Sequence, residues 1–319
     1  MHQQWSALFE ARVRNWAGVT RNDARGMVGG RRILPGDKLK GPFFRYNIFE
    51  KQVYFSAYHI TPATAADYAM AFKKHHIVYM TGYAMANYIL ARFFLQQDIK
   101  VPQLKAVITS SEKLTADMRE TFSKAYGCKT YDSYSGAEAC GLISENEYGQ
   151  LIISPDVGIM EIIREDGSSC RPGQTGEVYS TGFLNYNQPL IRYRIGDLVK
   201  LSSEQNTLCG RNMTVVEEII GRTEDVVVSS DGREMVRFHG IFINIPNIIE
   251  SQVIQHDLER FEIKIVVAKP LSIGERNTIS GRMESQLGKI ILEINEVDKI
   301  QRNANGKLKA VISHLKYIQ

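Results

Sequence analysis

The chain has 319 residues, of which 44% are hydrophobic and 23% are charged, and its formal net charge at pH 7 is +4. This length allows a substantial buried core divided between two or three domains. The mild positive charge suits a ligand with phosphate groups, but no basic stripe interleaved with aromatic residues indicates nucleic-acid binding. No apolar run reaches the roughly 20 residues needed to cross a bilayer, and the first residues lack the pattern of a secretory signal. We therefore expect a cytoplasmic protein with neither nucleic acid nor membrane as a partner.

The cysteine spacing argues against a disulfide framework and against a zinc ribbon. The 4 cysteines, Cys128, Cys140, Cys170 and Cys209, are far apart and include no Cys-x-x-Cys pair. We expect them to be reduced thiols in or near the core.

Residues 1–150 are typical of mixed helix and strand. Thr61 and Pro62 suit a helix start, with Thr61 as N-cap, and Gly127 suits a helix end. The predicted elements are a helix over 61–74, a helix over 85–97, a strand over 104–109, a helix over 115–126 and a strand over 129–131. The last three form a strand, helix, strand unit. In open parallel sheets ligands bind at the carboxyl ends of such strands, so the 110–112 and 133–138 loops should face one crevice.

From residue 151 to about 220 the pattern changes to short alternating apolar runs, which indicate a small antiparallel sheet or barrel. The runs cover 159–163, 176–179, 190–193 and 198–201. Residues 221–225 form a polar joint, and the predicted elements after it are a hairpin through 230–232, a helix beginning at Pro246, a strand over 261–268, a helix over about 272–287 and a strand over 289–297. This alternation predicts a compact α+β domain of the ferredoxin-like kind over 221–319.

Four short polar motifs follow one another along the chain. They are Tyr134-Ser135-Gly136-Ala137-Glu138, Tyr193-Arg194-Ile195-Gly196-Asp197, Gly221-Arg222-Thr223-Glu224-Asp225 and Asn305-Gly306-Lys307. Each alone is compatible with an ordinary solvated turn. In this order they resemble the adenylate-forming ligase superfamily of acyl and aryl coenzyme A synthetases, most nearly its phenylacetate-coenzyme A ligase and capsule-biosynthesis (CapK-like) branch.

The resemblance implies a fold and an activity. The expected α/β fold has a partial AMP-binding lobe with a mainly parallel sheet over 1–150, a β-rich subdomain of that lobe over 151–220, and the small lid domain over 221–319. The expected reaction activates an aromatic or other carboxylic acid with MgATP to acyl-AMP and passes the acyl group to coenzyme A. The expected ligands are thus ATP or AMP, Mg²⁺, coenzyme A and a small carboxylic acid, and a homodimer is left open.

Two carboxylates carry the nucleotide chemistry that the resemblance implies. Glu138 would ligate Mg²⁺, which prefers oxygen ligands and bridges phosphates, while Tyr134 lies against the adenine and Ser135, Gly136 and Ala137 complete that loop. The alternative is a solvated loop glutamate beside a core tyrosine. Asp197 would accept both hydroxyl hydrogens of the ribose. Its alternative is an ordinary β-turn.

The remaining roles fall on the joint and near the end of the chain. The resemblance places Arg222 on ribose or phosphate, with Glu224 and Asp225 as the hinge on which the lid turns. Lys307 would swing onto the α-phosphate and carboxylate oxygens as their charge builds. A surface turn with a salt-bridged arginine and an ordinary Asn-Gly-Lys hairpin turn are the alternatives.

A third loop and a set of aromatic residues have two readings each. Ser110, Ser111 and Glu112 lie where the family has its loop against adenine and the acyl group, but a serine-rich helix-capping loop explains them equally well. Aromatic residues of the first segment would line an aryl pocket or fill the core. They are Phe43, Phe44, Tyr46, Tyr54 and Tyr79.

One family feature is not visible in the sequence. Relatives carry, upstream of these motifs, a loop rich in serine, threonine and glycine whose amides grip the ATP phosphates. Residues 27–31 lack its hydroxyls and spacing, so we expect the chain to start just beyond that loop. The rival hypothesis is accordingly a catalytically impaired AMP-binding or acyl-adenylate-binding remnant, or a partner subunit. A further alternative is an adenylation domain that loads a carrier protein.

Overall fold

The computed structural model describes residues 2–29, 33, 40–222, 227–228, 234–235, 239–242, 245–302 and 308–315. The chain divides into two compact units, which meet in sequence between Ile220 and Gly221. The α-helices of the described residues are α1 (His2–Phe9), α2 (Ala65–Lys74), α3 (Ala84–Gln96), α4 (Ala116–Tyr126), α5 (His239–Phe242) and α6 (Ile273–Leu287). No helix among the described residues is long and apolar enough to span a membrane.

One sheet organises the first unit. Its strands are β1 (Arg25–Gly29), β2 (Phe44–Asn47), β3 (Gln52–Ser56), β4 (Tyr79–Tyr83), β5 (Ala106–Ser110), β6 (Lys129–Ser135), β7 (Leu142–Glu145), β8 (Leu151–Ile153), β9 (Gly158–Ile163), β10 (Thr175–Gly182), β11 (Tyr193–Leu201) and β12 (Val215–Arg222). Their order is β2-β3-β1-β4-β5-β6-β7-β8-β12-β11-β10-β9. The neighbours from β3 to β6 pair in parallel.

Burial explains why the first half of this sheet is parallel. In β5 the run Ala106-Val107-Ile108-Thr109 is buried without alternation, as expected of a strand covered on both faces. The first unit also contains an aromatic cluster, whose rings lie 5.4–5.9 Å apart in the pairs Phe55–Tyr68, Phe55–Phe72, Phe72–Phe94 and Phe72–Tyr126. The strand, helix, strand unit predicted for this region is confirmed.

Local helix signals were read correctly in one helix and wrongly in another. Gly127 ends α4 with a φ of 65°, as predicted, and Thr115, predicted as the first helical residue, is instead the N-cap that accepts a hydrogen bond from the Met118 N–H. Thr61, in contrast, is not the N-cap of α2. Its carbonyl accepts the N–H groups of Thr64 and Ala65, so residues 61–64 form a turn and the helix begins at Ala65.

The β-rich region belongs to the same sheet as the parallel strands. The predicted antiparallel runs are present, but they extend the large sheet instead of forming a separate small one. The runs predicted at 190–193 and 198–201 are wrong as two strands, because a single strand, β11, covers 193–201. The pairing of β10 with β11 shifts register between Glu177 and Tyr179, and Gly196 has a φ of 82°. Gly196, which is compatible with a β-turn in the sequence, therefore lies in a β-bulge within β11.

The second unit is an α+β arrangement. Its strands are β13 (Val227–Val228), β14 (Glu234–Met235), β15 (Ile248–Gln255), β16 (Arg260–Val267), β17 (Ile291–Glu296) and β18 (Val311–Ser313). Four of them form a sheet in the order β17-β16-β15-β18, while β13 and β14 pair with each other. The turn predicted at 230–232 lies outside the described residues.

A capping box fixes the start of the long helix α6, where Ser272 and Glu275 bond to each other's backbone N–H groups. The helix predicted to begin at Pro246 is wrong, because residues 248–255 form strand β15. Ile248 and Val253 on this strand enter the apolar core of the unit with Ile263 of β16 and Ile279 of α6. Tertiary burial of β-branched side chains thus outweighs the helix signal of a proline.

Candidate nucleotide-binding site

Three neighbouring parallel strands end at the same level of the sheet. Tyr83, Ser110 and Ser133 pair across β4, β5 and β6. The segments that follow β5 and β6 therefore leave from one edge, the edge at which ligands bind in sheets of this kind. The sequence prediction that the 110–112 and 133–138 segments are neighbours is confirmed, although Tyr134 and Ser135 are the last residues of β6 and not part of a loop.

The Ser110–Glu112 segment makes a helix cap. Ser110 ends β5, and Ser111 has a φ of 70°. A carboxylate oxygen of Glu112 accepts the Met85 N–H at 2.8 Å, in the first turn of α3. This carboxylate stabilises the start of α3, where unpaired N–H groups favour negative charge. A nucleotide-binding role for the three residues stays a prediction.

Tyr134 joins the first two motifs. Its hydroxyl donates a hydrogen bond of 2.6 Å to Oδ2 of Asp197, which lies 63 positions further along the chain. Tyr134 and Ile195 both pack against the apolar cluster that contains Ile143, Val178 and Val199. The site motif at 134–138 and the motif at 193–197 therefore lie side by side in the folded unit.

A second contact joins the same two motifs at their other ends. The Tyr193 hydroxyl lies 3.4 Å from Oε1 of Glu138. Each motif thus begins with a tyrosine that meets the acidic residue ending the other motif. Glu138 itself is exposed, as is Ala137. Among the described residues, no group of three or more His, Cys, Asp or Glu side chains could hold a metal ion.

The backbone after Glu138 is held by two glycines that sequence reasoning missed. The N–H of Ala139 bonds to the carbonyl of Gly136, and Ala139 and Cys140 are buried. A Cβ added at Gly158 would lie 2.4 Å from the carbonyl oxygens of both Cys140 and Thr181. A Cβ at Gly182 would lie 2.9 Å from the Cβ of Cys140. The 138–141 segment can therefore pack closely against β9 and β10 only because Gly158 and Gly182 have no side chains.

We expect Gly158→Ala to destabilise the first unit by about 1–3 kcal/mol, the usual cost of forcing extra atoms into a packed region. Urea unfolding followed by fluorescence of Trp5 and Trp16, both in this unit, measures the change. Gly29→Ala in β1 is the matched control, since among the described residues its added Cβ would meet only Met27 Cε, at 3.8 Å. Equal stability losses in both variants would contradict the close backbone packing.

A partly buried cluster of charged residues lies against β6. Glu145 of β7 is buried, pairs with Arg119 of α4 at 2.7 Å and accepts the Asp132 N–H at 2.9 Å. Burial raises the pKa of Asp132 to about 6, with Glu145 acting in the same direction and Arg119 against it. The sequence offered no signal for this cluster, because its three members come from separate elements.

Asp132 should make the first unit less stable as pH rises from about 4 to about 6. Its pKa is raised from 3.8 in the folded state, so over this range the folded unit keeps a proton that the unfolded chain has lost. Asp132→Asn should remove that decline and stabilise the unit at pH 7 by at most about 3 kcal/mol. Urea unfolding between pH 4.5 and 7.5 tests this, with exposed Asp98→Asn as control. Parallel pH profiles for the wild type and Asp132→Asn would contradict the assignment.

The structure describes the backbone of Arg222 but not the other charged residues predicted at the joint and near the end of the chain. Arg222 is the last residue of β12. Glu224, Asp225 and Lys307 lie outside the described residues, so their roles stay predictions. Of the aromatics proposed for an aryl pocket, Phe43 and Tyr79 are buried in the core, whereas Tyr46 is 40% exposed.

Comparison with known proteins gives a consistent result. The model of the CapK C-terminal domain matches residues 227–314. The chain is 29% identical to protein CapK of Staphylococcus aureus over 318 residues, which cover 94% of this chain and 67% of CapK. It is 24% identical to phenylacetate-coenzyme A ligase of Thermus thermophilus over 221 residues, which cover 66% of this chain and 49% of that ligase. The chain thus spans about two thirds of the length of CapK and about half of the length of the ligase.

The fold is that of solved coenzyme A ligases. A crystal structure of 2-hydroxyisobutyryl-CoA ligase in the postadenylation state, with an acyl-AMP bound, matches with a TM-score of 0.71 at 18% identity, covering 98% of this chain and 70% of that one. Structures of this fold have been solved with coenzyme A and with ATP and a magnesium ion. The chain is therefore a homologue of CapK and of phenylacetate-coenzyme A ligase, with a CapK C-terminal domain and the mixed α/β fold of the adenylate-forming coenzyme A ligases.

Proposed function

We propose that this chain carries the nucleotide-binding part of an adenylate-forming ligase. In the proposed reaction, a carboxylate oxygen attacks the α-phosphorus of MgATP to give acyl-AMP and pyrophosphate. The thiol of coenzyme A then displaces AMP and yields the thioester. An aromatic or other small carboxylic acid is the proposed substrate.

The contact between Tyr134 and Asp197 is the observation that carries this proposal. Two motifs that suit the two ends of an adenosine come from strands far apart in sequence, yet their side chains meet at 2.6 Å. The ring of Tyr134 would lie along the adenine, and the Asp197 carboxylate would accept the ribose hydroxyls. Positioning and electrostatics supply most of the catalysis in phosphoryl chemistry, so such an arrangement is a functional requirement.

The side chains suit the ligands by their chemistry. Asp197 is a carboxylate, which accepts two hydroxyl hydrogens at once, and Tyr134 provides an apolar ring with a polar tip. Glu138 offers an exposed carboxylate, the ligand type that Mg²⁺ prefers. The magnesium ion would neutralise phosphate charge when bound. Ser110, Ser111 and Glu112 follow the neighbouring strand and would lie beside the adenine and the acyl group.

The other proposed roles rest on the resemblance alone. Arg222 would reach the ribose or a phosphate, and Lys307 would contact the α-phosphate. Glu224 and Asp225 would form the hinge on which the lid domain turns between the two half-reactions.

A remnant that binds AMP or acyl-adenylate without catalysis is the rival, and two measurements separate it from the enzyme. Calorimetry with AMP and with ATP reports nucleotide binding, and ATP–pyrophosphate exchange with a panel of carboxylic acids, including phenylacetate, reports adenylation. Acid-dependent exchange is the expected result for a ligase. AMP binding without exchange for any acid would favour the remnant, and absence of AMP binding would overturn both. Supplying coenzyme A or a carrier protein as acceptor then identifies the thiol.

A further inference from the structure

We propose that the hydroxyl of Tyr134 is a positioning group for Asp197, so that this tyrosine sets ribose recognition in addition to presenting its ring to adenine. The inference deepens the proposed function and rests on it. The resemblance assigns only the ring of Tyr134, and a phenylalanine would provide that ring equally well. The hydroxyl is therefore the part of the side chain that needs an explanation.

Strand pairing does not place the two residues together. Between β6, which carries Tyr134, and β11, which carries Asp197, lie β7, β8 and β12. Four strand spacings amount to about 19 Å in a flat sheet. The hydroxyl nevertheless lies 2.6 Å from the carboxylate, so the antiparallel half of the sheet curls back towards β6. The contact between Tyr134 and Asp197 therefore depends on the curvature of the sheet.

The backbone around Asp197 makes a side-chain restraint valuable. Gly196 has a φ of 82°, and the register shift of β10 against β11 interrupts regular pairing over residues 195–197, which include the aspartate. At a bulge the partner strand defines side-chain direction less strictly than in a regular ladder. A short hydrogen bond from a neutral hydroxyl to a carboxylate is among the stronger neutral-to-charged contacts, and it fixes the rotation of the carboxylate about its own axis.

The packing of Tyr134 makes it a suitable anchor. It is only partly exposed, and it lies against the same apolar cluster as Ile195, two residues before the aspartate. A restrained ring and a restrained carboxylate then hold the two ends of the adenosine at a fixed separation. Preorganisation of this kind raises affinity by reducing the ordering that binding would otherwise require.

The test compares AMP with 2′-deoxy-AMP in calorimetry, using the wild-type chain, Tyr134→Phe and the matched control Tyr148→Phe. Tyr148 is an exposed tyrosine between β7 and β8. For the wild type we expect removal of one ribose hydroxyl to weaken binding by at least about tenfold, as for loss of a hydrogen bond to a charged group. In Tyr134→Phe we expect AMP to bind about tenfold more weakly and the ratio between the two nucleotides to shrink to about threefold or less. Tyr148→Phe should retain the wild-type ratio.

The ratio is the decisive readout, because a general loss of stability or of adenine stacking lowers both affinities equally and leaves it unchanged. An unchanged ratio in Tyr134→Phe would overturn the positioning role while leaving the proposed function intact. Failure of the wild-type chain to bind AMP would overturn both. Thermal unfolding of each variant establishes the folded fraction, and affinities are compared for folded protein.

Discussion

Replacing Asp197 by alanine is expected to weaken AMP binding by about 100-fold or more. The carboxylate would accept two ribose hydroxyls, and each hydrogen bond to a charged acceptor contributes about 1.5–3 kcal/mol. The substitution also removes the acceptor of the Tyr134 hydroxyl, which lies 2.6 Å from Oδ2 in the native unit. Calorimetry with AMP measures the effect directly and does not require the chain to catalyse a reaction.

Two further variants make the Asp197 result interpretable. Asp197→Asn keeps one oxygen acceptor and should bind AMP with intermediate affinity. Asp166→Ala removes an exposed carboxylate from the turn between β9 and β10 and should leave AMP binding unchanged. Wild-type affinity in Asp197→Ala would rule out this aspartate as the ribose ligand and would remove the main support for the proposed site.

Replacing Lys307 by alanine is expected to slow ATP–pyrophosphate exchange by about 100-fold or more while leaving AMP affinity within a few-fold of wild type. A cation that meets charge developing on the α-phosphate acts mainly in the transition state, and removing one such group typically costs 100- to 1000-fold in rate. The readout is initial exchange rate at saturating MgATP and carboxylic acid. Lys309→Ala, which removes the same charge two residues later, is the matched control.

Glu224→Pro is expected to impair the second half-reaction, thioester formation. Proline restricts backbone rotation, so a hinge at this position should lose thioester formation while exchange persists. If Lys307→Ala and Lys309→Ala slow exchange equally, the lysine has no special role. If Glu224→Pro leaves both halves intact, the hinge assignment is wrong.

Sequence patterns succeeded where the interactions that decide a structure are short in range. The C-terminal cap of α4 acts within one turn of helix, so Gly127 could be predicted as its end from the sequence alone. The parallel strands were readable because β5 is a continuous apolar run. These two features were sufficient to place the 110–112 and 133–138 segments at one edge of the sheet.

The same patterns failed where distant partners decide the outcome. Thr61 has the chemistry of an N-cap, but its carbonyl closes a turn before α2. Pro246 suggested a helix start, but burial against β16 makes the following residues a strand. Gly196 suggested a turn, whereas pairing on both sides keeps β11 continuous and turns the glycine into a bulge.

The candidate site was predictable residue by residue but not as an arrangement. Glu138 and Asp197 were identified by motif. No spacing rule, however, could show that Tyr134 contacts Asp197 and that Tyr193 contacts Glu138. Gly158 and Gly182 were also missed, because glycines that relieve a close backbone approach resemble loop glycines until the opposing chain is seen.

The path of the chain through the large sheet has a consequence for folding kinetics. After β8 the chain runs to the outer edge as β9 and returns through β10 and β11, and only then does β12 pair beside β8, with Val215 opposite Ile152. Pairing β12 with β8 closes a long loop, and the entropy of loop closure is lost before the strand hydrogen bonds form. This step is therefore expected to be slow. Refolding chains would then form helical structure well before β12 pairs with β8, and in that interval unpaired strands would be exposed to self-association.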